Sequence, residues 1–235
     1  MILPNSWSKH GFARVVVYVK KTLEYQQLHD LQDDLVQSIW LKAGFKNSKK
    51  LYMCHGYREH TSTLGSSLGD QRNMLGKFLE QWEEALEHNS TTEANELHIC
   101  CDMNLDALDD RWLQPTYHLV TLSRLVIAAC NLGDISQLVT LPTRFQYNSV
   151  KGTTAISFID HVYTNRKFRC SSVSVIPFGG SDHDMISYTR DTKAPLEPGR
   201  PIRKRSYKNF VQDNFLHDLG AVDWSDVYLC FASQT

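Results

Sequence analysis

Apolar residues recur with a helical period in two parts of the chain. Between residues 70 and 88 the period is 3.6 residues, with glutamates on the opposite face; the apolar positions are Met74, Leu75, Phe78, Leu79, Trp82, Ala85 and Leu86. This spacing predicts an amphipathic helix, for which Asp70 is the expected N-cap. A second helix is predicted over about 117–131, where Leu119, Leu122, Leu125, Val126 and Ala129 share one side.

Short runs rich in β-branched and aromatic residues predict strands in the rest of the chain. The run 35–43 is compatible with either helix or strand, and we favour a strand because the polar turn after it leads into a hairpin partner at 50–58. The other predicted strands are 13–20 ("ARVVVYVK"), 96–104, 136–141, 155–165, 171–178 and 184–190. Strands interspersed with helices predict a layered α/β sandwich.

Near residue 191 the composition changes. Residues 191–205 combine prolines with a basic cluster and predict a linker, and residues 206–219 predict a short amphipathic helix. We therefore expect a domain over 1–190, a linker over 191–205 and a short helical tail over 206–235.

Composition is compatible with one globular core and gives little direct indication of function. The 235 residues are 42% hydrophobic, and the formal net charge of −1 gives no overall attraction to nucleic acid. The 6 cysteines form no C-x-x-C pair, which favours a reducing, intracellular compartment. No apolar run approaches the length of a membrane span.

Three polar motifs lie at or near the ends of predicted strands. They are Asp102-Met103-Asn104, the stretch from Ser157 to His161 that contains Asp160, and Ser181-Asp182-His183. Carboxylates with an amide suit Mg²⁺ or Mn²⁺, and a histidine held by a carboxylate suits proton transfer. Together these groups fit metal-assisted hydrolysis of a phosphate ester.

Each motif also has a purely structural interpretation. D-x-N after a strand and Ser-Asp-His beside two glycines are both common in turns. Asp160 is harder to explain in this way, because a carboxylate inside an apolar strand requires a partner. The ordered combination therefore carries more information than any single motif.

In that order, the three motifs resemble the endonuclease/exonuclease/phosphatase superfamily. The flanking sequences resemble the endonuclease domain of non-LTR (LINE-type) retrotransposon polyproteins; these are "ARVVVYVK", "GYR" at 56–58, "CNLGDISQLVTLPTR" at 130–144, "IDHVYTN" at 159–165 and "RKRSYKNF" at 203–210. The resemblance covers the chain from about residue 11 onward. It implies a DNase I-like fold of two mixed sheets flanked by helices, with a tail that leads toward a reverse transcriptase region.

The resemblance also implies roles for individual residues. His183 corresponds to the catalytic histidine beside the attacking water, Asp160 to the carboxylate that orients it, and Asp182 to a metal ligand. The remaining correspondences are Asp102 as an active-site carboxylate, Asn104 and Tyr57 as phosphate contacts, Arg58 beside Tyr57 as a substrate-binding residue, and Thr143 as a polar residue lining the site. The implied cofactor is Mg²⁺, with Mn²⁺ as a substitute, the implied partner is DNA, and the implied location is nuclear.

One part of the family pattern has no match. The family has a strand that ends in a catalytic Asn and a strand that ends in a metal-binding Glu before the region matched by "ARVVVYVK", and here only about a dozen residues precede it. We therefore expect an N-terminally truncated domain whose metal site lacks its main carboxylate. Two alternatives stay open: a phosphatase of the same superfamily, and a non-catalytic remnant that binds nucleic acid or protein through the linker residues Arg200, Arg203, Lys204 and Arg205.

Overall fold

The structure is a computed structural model. It describes residues 1–4, 13–33, 36–44, 50–59, 67–88, 95–116, 118–191 and 211–221. The chain divides into two compact units, Met1–Pro195 and Leu196–Thr235, which are treated separately below. No helix among these residues is long and apolar enough to cross a membrane.

A six-stranded mixed sheet forms the centre of the first unit. Its strands are β1 (Tyr25–Gln27), β2 (Gln37–Ala43), β3 (Leu51–Tyr57), β4 (Glu96–Asp102), β5 (Ser136–Gln137) and β8 (Asp160–Thr164). Their spatial order is β1-β2-β3-β4-β8-β5. Only β3 and β4 pair in parallel among these neighbours, and the helix between them makes the crossover that a parallel pair requires. The strands predicted at 35–43, 50–58 and 96–104 are confirmed.

Two helices cover one face of this sheet: α1 (Leu68–Glu87) and α2 (Val120–Leu132). The apolar stripe predicted for α1 is buried against the sheet, where Phe78 and Trp82 pack on Trp40, Tyr52 and Tyr163. Helix α2 begins at residue 120 rather than near 117. Both predicted helices are therefore present, and together with the sheet they enclose the main core.

The expected N-cap of α1 was wrong by three residues. Ser67 is the N-cap; its Oγ accepts from the Asp70 N–H at 3.2 Å, and Asp70 Oδ2 accepts from the Ser67 N–H at 2.8 Å. Asp70 thus completes a capping box from inside the first turn, where a carboxylate also faces the positive end of the helix dipole.

A second, smaller layer lies on the other face. Strands β9 (Cys170–Ile176) and β10 (Met185–Arg190) form an antiparallel pair. From this pair, Val175 and Ile186 pack against Phe158 and Val162 of the central region. Helices, central sheet and this outer pair make three layers, which confirms the α/β sandwich.

The segment 13–20 is not a strand, contrary to prediction. Val17 forms a single antiparallel bridge with Ile2, and Val15 and Val17 bury their side chains against Ile39 and Leu41 of β2. Because the described residues give this segment no neighbour with which to form a continuous ladder, its apolar residues are buried without β-pairing.

The predicted strand 155–165 is divided into two. Its first part belongs to the hairpin of β6 (Arg144–Asn148) and β7 (Thr153–Ser157), and its second part is β8 of the central sheet. Between the two parts, the backbone N–H groups of Ile159 and Asp160 donate to Thr143 Oγ1 at 3.2 and 3.0 Å. This side chain substitutes for ladder partners where the chain leaves one sheet for the other.

The run 136–141 forms only the two-residue strand β5. The Leu138 N–H still donates to Val162 O at 2.8 Å, but the Val162 N–H donates to the Gln137 side chain at 2.9 Å instead of to the backbone. Two short 3₁₀ turns, Leu108–Leu113 and Lys167–Arg169, complete the described part of this unit.

The described part of the second unit is helix α3 (Gln212–Ala221). It confirms a short helix in the tail, with later bounds than the predicted 206–219. Residues 192–205 of the predicted linker, residues 206–210 and residues 222–235 lie outside the described residues.

Candidate active site

Three site residues occupy one row across the ends of the central strands. Tyr57 at the end of β3 pairs with Asp102 at the end of β4, and Asp102 pairs with Asp160 at the start of β8. Neighbouring strands lie about 4.8 Å apart, so side chains on one face of such a row are near neighbours. Register alone therefore brings together residues that are far apart in sequence.

A histidine and an aspartate form the centre of the site. His183 Nδ1 lies 2.9 and 3.1 Å from the two carboxylate oxygens of Asp160. Their side chains are 30% and 18% exposed respectively, so the pair is shielded but still reached by solvent. A carboxylate in this position fixes the imidazole tautomer, because it accepts the hydrogen of Nδ1.

Three hydrogen bonds that involve backbone groups hold the turn that carries His183. The Ser181 hydroxyl accepts from the His183 N–H at 3.0 Å, Asp182 O accepts from the Phe145 N–H at 2.8 Å, and Thr143 O accepts from the Asp184 N–H at 2.8 Å. The Gly-marked turn is therefore attached to the start of β6 and does not depend on the His183 side chain for its position.

Asp102 completes a cluster of three. One ligand-capable atom each from Asp102, Asp160 and His183 lies within 4.8 Å of the others, and all three residues are half-buried. Burial, and next the neighbouring Asp160 carboxylate, raise the pKa of Asp102 to about 6, although the Asn104 N–H that donates to Asp102 Oδ1 at 3.0 Å opposes this. The charges of His183 and Arg144 also lower the pKa of Asp102, but burial and the Asp160 charge outweigh them.

Asn104 and Arg58 form the support beneath this cluster. Asn104 adopts a left-handed backbone (φ 48°), and its side-chain amide donates to the Arg58 carbonyl at 2.8 Å. Arg58, only 2% exposed, donates in return to the carbonyls of Met103 and Asn104. The guanidinium is thereby turned into the protein. Arg58 thereby supports the D-x-N turn, and its predicted contact with substrate stays a prediction.

Thr143 and Asp182 were also predicted as site residues, and the structure gives each of them a partner within the chain. Thr143 is fully buried and its hydroxyl holds the start of β8, so it positions Asp160 rather than lining the site. The Asp182 carboxylate accepts from Arg144 Nε at 2.8 Å, and this hydrogen bond lowers its pKa. Asp182 therefore lies outside the cluster of three and is neutralised by its own partner.

The cluster opens into a cleft of about 710 Å³ between the segment at residue 14 and strand β10. Tyr57, Asp102, Asp160 and His183 line it, whereas Arg58, Asn104, Thr143 and Asp182 do not. Burial, and next the Asp102 charge, raise the pKa of the Tyr57 hydroxyl, which keeps it neutral and able to donate a hydrogen bond.

Arg14 and His55 also line the cleft, although neither was a predicted site residue. Arg14 adjoins the Val run, whose alternation could have identified it as a solvent-facing position. His55 lies within β3, and its pKa is lowered by burial. His161, next to Asp160 in sequence, is buried, its Nδ1 lies 2.6 Å from the Tyr163 hydroxyl, and burial lowers its pKa to about 4.

The cluster has the donor chemistry of a divalent-cation site. Asp102 and Asp160 supply adjacent carboxylate oxygens, the ligand type preferred by Mg²⁺ and Mn²⁺. Burial, and next the Asp160 charge, raise the pKa of Asp102, and the charge of a bound cation would oppose both effects. The residues present therefore fit such an ion.

Fold and site together define a layered α/β domain with an Asp–His pair and a second carboxylate at its central strand ends. The structure is similar to the endonuclease domain of TRAS1, a telomere-specific non-LTR retrotransposon, with a TM-score of 0.54 and 12% identity over 73% of this chain and 70% of that one. The chain thus has the fold of that endonuclease domain, which confirms the resemblance at the level of fold.

Two further solved structures are similar to a lower degree. The AP endonuclease LMAP from Leishmania major has a TM-score of 0.44 and 12% identity, over 65% of this chain and 54% of that one. An endonuclease/exonuclease/phosphatase family protein from Bacteroides thetaiotaomicron has a TM-score of 0.39 and 14% identity, over 63% and 51%. This chain therefore spans about half the length of these two proteins. No family model matches the sequence, and no curated protein matches it.

Proposed function

We propose that this chain is a metal-dependent phosphodiesterase of the endonuclease type, acting on DNA as part of a retrotransposon-derived protein. The observation that carries the proposal is the His183–Asp160 pair placed beside Asp102 in one cleft. A hydrolase needs a group that moves a proton and a group that balances charge, and this cluster contains both.

Proton transfer is assigned to His183. Asp160 accepts at Nδ1, which leaves Nε2 as the atom that takes a proton from an attacking water. Asp160 stabilises the imidazolium that results, and Tyr57 can donate a hydrogen bond to a phosphate oxygen. Asn104 and Arg58 act indirectly, by fixing the turn that presents Asp102.

Charge balance is assigned to a divalent cation, for which Mg²⁺ is the proposed physiological ion. Asp102 and Asp160 are the residues that would hold it. When bound, such an ion supplies a positive charge that stabilises the oxygens of the phosphoryl group as negative charge develops.

DNA is the proposed substrate, and the nucleus the proposed location, because the retrotransposon-type flanks of the sequence agree with the similarity to the TRAS1 endonuclease fold. The cleft is also open along one side of the sheet, as a polymer substrate requires.

The test is nicking of supercoiled plasmid by the full chain with Mg²⁺. His183→Ala is expected to lower the rate by about 10²- to 10⁴-fold, as loss of a general base does. His217→Ala, on the exposed helix α3, is the matched control and should leave the rate unchanged. Nicking that survives His183→Ala contradicts the proposal.

Two other outcomes would identify the alternatives. Release of inorganic phosphate from small phosphomonoesters without plasmid nicking would favour a phosphatase. Salt-dependent DNA binding without turnover, unchanged by His183→Ala but weakened by charge reversal at Arg200, Arg203, Lys204 and Arg205, would favour a binding remnant.

A further inference from the structure

The wall of the cleft opposite His183 carries a cation that the mechanism above does not use. Among the described residues that line the cleft, Arg14 is the one arginine or lysine. Its guanidinium carbon lies 5.5 Å from the centre of the Tyr57 ring, within cation–π distance. The cation is therefore associated with a predicted site residue and faces the same space as the carboxylate cluster.

The backbone fixes this position. The Arg14 N–H donates to Gln37 Oε1 at 2.8 Å, and Gln37 is buried at the start of β2. Gln37 pairs with Tyr57, which pairs with Asp102, which pairs with Asp160. Arg14 is thus attached to one end of a row of residues that ends at the Asp160–His183 pair.

The row has a defined span. Tyr57 and Asp160 are separated by two strand spacings, about 10 Å, and the Arg14 guanidinium lies over the Tyr57 ring. The guanidinium therefore adjoins the Tyr57 end of the row and not the end that carries the Asp160–His183 pair. It is suitably placed for a second phosphate of a continuous strand, because guanidinium groups bind phosphate through a planar fork of N–H donors.

We propose that Arg14, stacked on Tyr57, binds a non-scissile phosphate of a polynucleotide and so selects polymers over small phosphoesters. This inference rests on the proposed function of the same cleft. It assigns Arg14 to substrate binding and not to the chemical step.

The test is the salt dependence of DNA binding, measured by fluorescence anisotropy of a labelled duplex with the full chain and no divalent cation. Each phosphate contact contributes about 0.7–0.9 to the slope of log affinity against log salt, so Arg14→Gln should reduce the slope by about that amount and weaken binding about tenfold at low salt. Arg14→Lys keeps the charge and should keep the slope. Lys21→Gln removes one charge outside the cleft and is the matched control.

Catalysis provides the second readout. With plasmid as substrate, Arg14→Gln should raise KM and leave kcat nearly unchanged, and hydrolysis of bis(p-nitrophenyl) phosphate, which has a single phosphate, should be unaffected. An unchanged salt slope with a lowered kcat would mean that Arg14 only supports Tyr57, and this would overturn the inference. If the wild-type chain binds DNA with the Arg14-dependent slope but never nicks it, the proposed function fails and the phosphate contact stands.

Discussion

The two ends of strand β4 carry carboxylates in opposite electrostatic situations. At its start, Glu96 is fully buried and accepts from Arg190 at 2.6 and 2.7 Å and from Arg169 at 2.5 Å. At its end, Asp102 faces a second carboxylate, Asp160. The same strand thus holds one acid that is neutralised and one that is not.

The pKa values follow this difference. Burial by itself would raise the pKa of Glu96, but hydrogen bonds from His98 and Arg190, together with the charges of Arg190 and Arg169, outweigh it and lower the pKa to about 2. Burial and the Asp160 charge instead raise the pKa of Asp102 to about 6. A carboxylate that holds the fold has its cations within the chain, whereas a carboxylate in a cation-binding site is left beside another acid.

The largest expected difference between the two acids is the change in stability when each one is neutralised by mutation. Glu96→Gln removes the buried carboxylate that accepts from Arg169 and Arg190, and we expect the free energy of unfolding to fall by about 3–5 kcal/mol. Asp102→Asn relieves repulsion and should leave stability unchanged or raise it. Urea unfolding near neutral pH, with a chelator present, measures both. Equal losses for the two variants would contradict the comparison.

Lowering the pH should change the free energy of unfolding in opposite directions at the two ends of β4. The lowered pKa of Glu96 means that its stabilisation is present above about 4.5 and is lost as pH falls toward 2, a contribution of about 3 kcal/mol. The raised pKa of Asp102 means that, without a cation, stability falls as pH rises from about 4 to about 6, by about 1–2 kcal/mol after allowance for partial exposure. The measurement is the free energy of unfolding across this pH range. Glu96→Gln should lack the loss of stability at low pH, and Asp102→Asn should lack the loss of stability as the pH rises.

The difference between the ends also explains which parts of the site could be predicted from sequence. Asp102, Asp160 and His183 belong to short motifs at strand ends, and their order along the chain indicated the fold that brings them together. The ion pair of Glu96 with Arg190 spans 94 residues, and no local pattern records it. Arg58 was correctly placed beside Tyr57, but its burial depends on the D-x-N turn 45 residues later, so its supporting role could not be anticipated.

In the fold, too, some elements could be predicted from local sequence and others depend on distant contacts. Helix α1 follows directly from periodicity, and strands β2 to β4 from short apolar runs and, for β2, from the polar turn after it. The break between β7 and β8 depends on Thr143, a hydroxyl outside the predicted strand that takes two of its N–H groups. Likewise, the segment 13–20 has the composition of a strand, but pairing depends on neighbours that composition does not specify.

The smallest expected effect concerns a third acid, Asp182. It was predicted to bind metal, but its carboxylate is paired with Arg144. At ten times its dissociation constant a ligand stabilises by about 1.4 kcal/mol, so Mn²⁺ should raise the melting temperature of the wild-type chain. Asp102→Asn should abolish that shift. Asp182→Asn should retain it and cost less than about 1 kcal/mol of stability, since an exposed pair contributes little. If Asp182→Asn removes the shift as completely as Asp102→Asn does, then cation binding draws Asp182 away from Arg144 into the site, and the cluster of three acquires a fourth member.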